Sequence, residues 1–240
     1  MSDKEKTVRT KQQGFTLIEI AIVLVIIGLL LGGVLKGQEL ITSARVRNLI
    51  SQQEGVKAAY FGFLDRYRAL PGDYSAASTN INGAVANGNN NGQITALGVA
   101  LATIDEDIAA WEHLSKAGFI NGSYLYTAGA GETPASAPAN PYARYLQLRY
   151  DGIYGAGVAA TPQPLRHNLK TGNQIPSDLM GEIDRKTDDG LATSGSFQFS
   201  EYGGGAGGAV IVGTGNCYTA GTFIWAATPS IPNCGGSSLF

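Results

Sequence analysis

The sequence predicts an α+β protein: one long N-terminal helix, apolar in its first half and amphipathic in its second, packed on a head of antiparallel strands. Three observations carry that expectation. Residues 15–35 contain only Thr16 and Glu19 as polar side chains. Residues 36–69 continue without proline into apolar positions recurring at i, i+3 and i+4. Beyond Pro71 the chain becomes glycine-rich and shows short runs of alternating polarity separated by turn residues.

Composition narrows the function classes. In 240 residues only 15% are charged, 44% are hydrophobic and 33 are glycine, with a net charge of −2. Without a basic excess there is no broad phosphate-neutralising surface, so no nucleic-acid partner is required. Two histidines and two cysteines leave little room for a zinc or iron–sulfur enzyme. No G-x-S-x-G or H-E-x-x-H run occurs, and no carboxylate pair has a recognisable catalytic setting, so no enzyme activity is expected. Cys217 and Cys234 form a disulfide in an oxidising compartment and stay free thiols in the cytosol; composition leaves both open.

Taken in order, residues 1–14 are polar, with Lys4, Lys6, Arg9 and Lys11 against Asp3 and Glu5. Phe15–Leu35 as a helix is about 31 Å long, enough to cross the ~30 Å hydrocarbon core of a bilayer. The four cations before the span favour a cytoplasmic N-terminus, although Lys36, Arg45 and Arg47 follow it. Glu19 stands out, because a carboxylate in hydrocarbon costs on the order of 2.5–3.5 kcal/mol and signals a function and a partner. Cleavage after Gly14 would place a new α-amine on Phe15. That amine and the Glu19 carboxylate of a staggered neighbour would neutralise each other and set the register between chains, because a one-residue slip strands two charges.

Gly14-Phe15-Thr16-Leu17-Ile18-Glu19, followed by the apolar stretch, resembles the prepilin cleavage and methylation motif of type IV pilins and type II secretion pseudopilins. The resemblance implies a Met1–Gly14 leader removed by a prepilin peptidase, and N-methylation of Phe15. It further implies assembly, with Thr16 and Glu19 in the assembly segment, into a filament of pilin-like subunits by an inner-membrane platform. The expected localisation is the inner membrane, with the head periplasmic, and then a pilus or pseudopilus. One departure is visible: many members have a helix-kinking proline, and residues 15–69 contain none, so Gly28, Gly32, Gly33 and Gly37 are the candidates for bending. The competing function is a monomeric, single-pass, membrane-anchored periplasmic binding protein.

Residues 36–69 carry Leu40, Val46, Leu49, Ile50, Val56, Tyr60, Phe63 and Tyr67 as an apolar stripe, stopped by Leu70-Pro71-Gly72-Asp73. The head spans residues 70–240. Its Asn87-Gly88-Asn89-Asn90-Asn91-Gly92 run has oxygen-bearing residues at alternate positions and then glycine, like the first half of a calcium loop. Asn87, Asn89 and Asn91 are therefore candidate Ca2+ ligands, with Asp73, Asp105 or Glu106 supplying the missing acid. The twelfth position is Gly98 rather than glutamate, and a turn-rich surface loop accounts for the run better.

Thr103-Ile104-Asp105-Glu106 has the form of a capping box and opens a helix with Ile108, Trp111 and Leu114 inward; His113 on it reads as a surface or core residue. Strands are expected at Ser123–Thr127, Tyr142–Tyr150, Phe197–Ser200, Ala209–Val212 and Thr222–Ala226, with a second short helix at Ser177–Lys186. Asp184, Asp188 and Asp189 form an acidic turn, a candidate for a metal or a neighbouring subunit unless Arg185 and Lys186 neutralise it. This turn, Leu70-Pro71-Gly72-Asp73 and the Trp111 helix resemble pseudopilin heads. Gly203–Gly208 satisfies G-x-G-x-x-G, but a strand pattern rather than a helix follows it, leaving no phosphate cradle. With the head on the oxidising side, as the resemblance implies, Cys217 and Cys234 form a disulfide stapling the C-terminal loop, as in many pilins.

Overall fold

The computed structural model describes residues 16–96, 104–155, 162–205 and 217–240. The expected Ala209–Val212 strand lies outside them. The chain divides into two compact units, residues 1–43 and 44–240. Helix α1 (Leu17–Tyr67) contributes its first part to one and its second to the other.

Within the first unit α1 is uninterrupted through Gly28, Gly32, Gly33 and Gly37, where an added Cβ would meet nothing within 4 Å. Its apolar side chains are exposed all round, Leu17, Leu24, Leu29 and Leu35 among them. It is the one helix among the described residues that is long and apolar enough to cross a membrane.

In the second unit the rest of α1 buries one stripe: Val46, Leu49, Gln53, Val56, Ala59, Tyr60 and Phe63. That stripe joins two core clusters. Val56, Tyr60 and Phe63 pack with Trp111, Leu114, Leu146, Leu148 and Leu169. Val46 and Leu49 pack with Ile175, Met180, Phe197, Phe199 and Trp225. The helix ends two residues earlier than the proline signal implies. Arg68 adopts φ +54° and its N–H donates to Leu64 O at 2.9 Å, a left-handed C-terminal cap on a residue other than glycine.

A single helical turn, α2 (Ala77–Asn80), precedes α3 (Glu106–Lys116). Residues 106–114 of α3 are all buried, so it is enclosed on every side and not only along the expected Ile108, Trp111 and Leu114 face. The N-cap is Asp105, and it makes no side-chain cap bond; Thr103 lies outside the described residues. Strand β1 (Gln147–Asp151), β2 (Arg166–Lys170), helix α4 (Ser177–Thr187), β3 (Phe197–Phe199) and β4 (Gly236–Leu239) complete the order.

The sheet runs β1-β2-β4-β3, antiparallel throughout. Strands β1 and β3 and helix α4 fall where the pattern places them. Strands β2 and β4 do not, because Arg-His-Asn-Leu-Lys and Gly-Ser-Ser-Leu carry no β-branched alternation. In β4 small residues are required: a Cβ at Gly236 would collide with the Phe197 ring and the Met180 methyl. The expected strand at 222–226 appears only as isolated bridges, Leu191 to Ile224 and Tyr218 to Trp225. Ser123–Thr127 forms no ladder; Leu125 N–H donates singly to Ala135 O.

Candidate functional site

Gly14 and Phe15, the expected cleavage pair, lie outside the described residues. The structure does describe the two expected assembly residues, Thr16 and Glu19. Thr16 N–H and Oγ1–H donate to Glu19 Oε2 at 2.7 and 2.8 Å, and Glu19 N–H donates back to Thr16 Oγ1 at 3.3 Å. This is a reciprocal capping box, and it was legible as T-x-x-E at the start of the apolar run. The carboxylate that looks orphaned in the sequence is therefore partnered within its own chain. Its free lone pairs remain available to a further donor.

The Asn-rich loop brings several of its expected ligands together, each of them engaged in hydrogen bonds within the chain. Asp73 accepts the N–H groups of Asn91 at 2.9 Å and Gly92 at 2.8 Å, one on each carboxylate oxygen. Asn89 Oδ1 accepts Asn91 N–H at 3.0 Å, and Asn91 Oδ1 accepts Gln93 N–H at 2.9 Å. Glu106 Oε2 accepts both Thr95 N–H and its hydroxyl at 3.0 and 2.9 Å, and Oε1 accepts Asn89 N–H at 3.3 Å. Asn87 faces Ser78 instead, its Oδ1 accepting Ser78 N–H at 2.9 Å. Asp105 Oδ2 accepts Gly129 N–H at 3.1 Å. Each of these side-chain oxygens thus accepts hydrogen bonds from the chain itself. Burial raises Asp73 and Glu106 above the ordinary carboxylate range, with their amide donors acting against it.

Helix α3 organises these loops through Glu112 and His113. Glu112 accepts Val85 and Ala86 N–H on one oxygen and Tyr126 N–H on the other. His113 is a fully buried core residue. Its Nδ1 accepts Gly72 N–H at 2.9 Å, which leaves Nε2 to donate to Ala86 O at 3.0 Å. Burial lowers its pKa, consistent with a neutral ring. These partners stand 14 to 41 residues apart in sequence, so no local pattern announces them.

In the acidic turn, Asp184, Asp188 and Asp189 offer carboxylate oxygens within 4.8 Å of one another. Each also braces the chain. Asp184 accepts Trp225 Nε1–H at 2.6 Å and Gly190 N–H at 3.3 Å. Asp188 accepts Ser196 and Phe197 N–H where β3 begins. Asp189 accepts Leu191 N–H and the Ser194 hydroxyl. Lys186 pairs with Glu182 on its own helix rather than with these acids. Burial pushes Asp184 up to about 6, against the Trp225 and Gly190 donors.

Cys217 and Cys234 form the disulfide, with Cα atoms 5.8 Å apart, inside the cluster that holds Phe199, Tyr218 and Trp225. Cys234 also pairs with Ile175 through both main-chain hydrogen bonds, which ties the C-terminal segment to the start of α4.

Comparison with known proteins agrees with the N-terminal geometry. Residues 9–35 match the family model of the prokaryotic N-terminal methylation motif. No curated protein and no solved structure matches the chain. The matched segment contains the Thr16–Glu19 cap and most of the exposed apolar helix, and an α+β head follows it. The chain thus carries the N-terminal methylation motif of the type IV pilin-like family.

Proposed function

We propose that this chain is a structural subunit of a type IV pilus-like filament, as a pilin, minor pilin or secretion pseudopilin. The observation that carries the reading is the methylation motif at residues 9–35 running directly into an apolar helix that none of the described residues covers. A helix apolar on every side is stable in lipid or in a bundle of identical helices, and either setting hides the same surface. Transfer from bilayer to filament then need not pass through water.

In this reading a prepilin peptidase cuts between Gly14 and Phe15, Phe15 is N-methylated, and an inner-membrane platform assembles the mature chains. Glu19 serves twice. Within the chain it caps α1 through Thr16; between chains it receives the Phe15 amine of a neighbour and fixes the axial register. Glu19→Ala is expected to leave the chain inserted and processed while sheared filaments lose it, measured by N-terminal mass spectrometry and immunoblotting. Normal filaments from that variant would remove the register role. A mature wild-type chain that still begins at Met1 would refute the processing.

A further inference from the structure

Four Asn-Gly dipeptides stand in the head, at Asn82, Asn87, Asn91 and Asn121, and the fold treats them differently. In such a pair the glycine nitrogen can attack the asparagine side-chain carbon, because no Cβ shields the approach. Attack requires that nitrogen to lose its proton and the side-chain amide to turn towards it. A hydrogen bond on either group opposes the reaction. At Asn91, Gly92 N–H donates to Asp73 Oδ2 at 2.8 Å, and the asparagine Oδ1 accepts Gln93 N–H at 2.9 Å. At Asn87, Gly88 N–H donates to Tyr74 O at 3.0 Å. The Asn87 amide is held at both ends by Ser78, whose N–H donates to Oδ1 and whose Oγ accepts from Nδ2, each at 2.9 Å.

Asn82 and Asn121 lack both restraints. Asn82, Gly83, Asn121 and Gly122 are exposed. No hydrogen bond within the described residues engages either side-chain amide or the N–H of either glycine. Residues 81–84 form a turn closed by Ala84 N–H on Ile81 O at 3.1 Å, with Gly83 at φ +83°. Positive φ at the third residue alone is the type II form, in which the Gly83 N–H belongs to the middle peptide and takes no part in the closing bond. Both pairs flank Lys116. Its stem would meet a Cβ on Gly83 at 3.6 Å, and its ammonium donates to Ser123 Oγ at 3.1 Å. Lys116 makes no ion pair among the described residues.

We propose that Asn82 and Asn121 are sites of spontaneous deamidation in the folded head, and that the fold protects Asn87 and Asn91. The glycine nitrogen, its proton passed to water, bonds to the asparagine Cγ; the Cγ–Nδ2 bond breaks and ammonia leaves. The resulting succinimide takes up water at one of its two carbonyls, and the ring opens to aspartate or isoaspartate. Nothing is oxidised or reduced, and solvent is the one co-reactant. The products separate the two sets as well. A charge gained at 82 or 121 is added beside a lysine that has no ion pair. At 91 it would join Asp73, which already accepts the Asn91 N–H at 2.9 Å, and like charges oppose that. Each event adds one negative charge to a chain whose net charge is −2, so the head grows more acidic as the chain ages. The inference does not rest on the filament role, since all four pairs lie in the head unit.

The test incubates the full chain in detergent, either folded or unfolded in urea, in alkaline buffer made with heavy-oxygen water. Digestion follows in ordinary water, so only deamidation during the incubation carries the label, and fragment-ion mass spectrometry locates it. In the folded chain Asn82 and Asn121 are expected to convert about tenfold or more faster than Asn87 and Asn91, the worth of releasing one or two hydrogen bonds. In urea that difference should vanish, because all four asparagines then share the same following residue and no fold. Asn87 or Asn91 converting as fast as the other two in the folded chain would overturn the proposal. So would either Asn82 or Asn121 staying unlabelled in the folded chain while all four convert in urea.

Discussion

Asp107 offers a direct test of how charge is balanced inside the head. Its side chain is 4% exposed and sits on α3 beside β1. Oδ2 accepts Gln147 Nε2–H at 3.3 Å, and Arg149 Nη1 stands 4.0 Å away. The same Gln147 amide reaches Glu132 at 2.7 Å, so two acids share one neutral donor. Burial pushes Asp107 up to about 7; Arg149 opposes the rise, and Glu132 and Asp105 add to it. An unfolded aspartate titrates near ~3.9. Between these values the native state holds a proton that the unfolded chain has released. Stability from this group is therefore complete below pH ~4 and is lost as pH rises through about 7.

Roughly three pH units at ~1.36 kcal/mol each set a ceiling of about 4 kcal/mol, and relaxation toward Arg149 reduces the expected change to about 2. Asp107→Asn preserves the shape and the acceptor oxygen but removes the titration. Urea midpoints of the detergent-solubilised chain between pH 4.5 and 7.5, followed by Trp111 and Trp225 emission, measure both proteins. Asp73, Glu106 and Asp184 are also raised by burial, so the difference between wild type and variant isolates Asp107. Parallel curves, or a wild type that gains on the variant as pH rises, would refute the reasoning.

Three further outcomes follow from the packing. Replacing Cys217 and Cys234 by serine should lower stability by about 3 kcal/mol on the loop-closure account, read as a urea midpoint; a shift below ~1 kcal/mol would contradict that account. Gly72→Ala forces a Cβ onto the Glu106 carbonyl oxygen at φ +87°, and the left-handed strain alone predicts a loss of about 1–3 kcal/mol; an unchanged midpoint would contradict the close approach. Thr16→Val keeps the branched shape and removes the cap, worth about 1 kcal/mol. It should speed amide exchange at Ile18–Ile20 in detergent without altering the head, and unaltered exchange would show that Thr16 does not anchor the helix start.

Much of the architecture was legible because its causes are local. The apolar run of residues 17–35, the stripe from Val46 to Phe63, and the helix at Ser177 each express a periodicity that reports which face meets oil. The Thr16–Glu19 box was equally visible in form, although its role as a partner for the carboxylate emerges only from the hydrogen bonds. Strands β2 and β4 were not legible. Their residues are chosen by what crosses above them, as Gly236 is by Phe197 and Met180, and not by strand propensity. The loop at Asn87–Gly92 was open to two readings for a related reason. Alternating amides suit a cation and a tight turn alike, and which oxygens face inward depends on Asp73 and Glu106, brought from other segments.

The order of residues alone therefore settled the long helix, its apolar and amphipathic halves and the motif at its start, since each rests on side chains within a few turns of one another. Tertiary structure decided the rest: His113 and Glu112 as ties between distant loops, the three aspartates as braces of a turn, and the locking of two Asn-Gly pairs while two others stay open. Those outcomes turn on which donors and acceptors meet after the chain has folded back on itself, where a buried group's protonation and hydrogen bonding are set by neighbours tens of residues away.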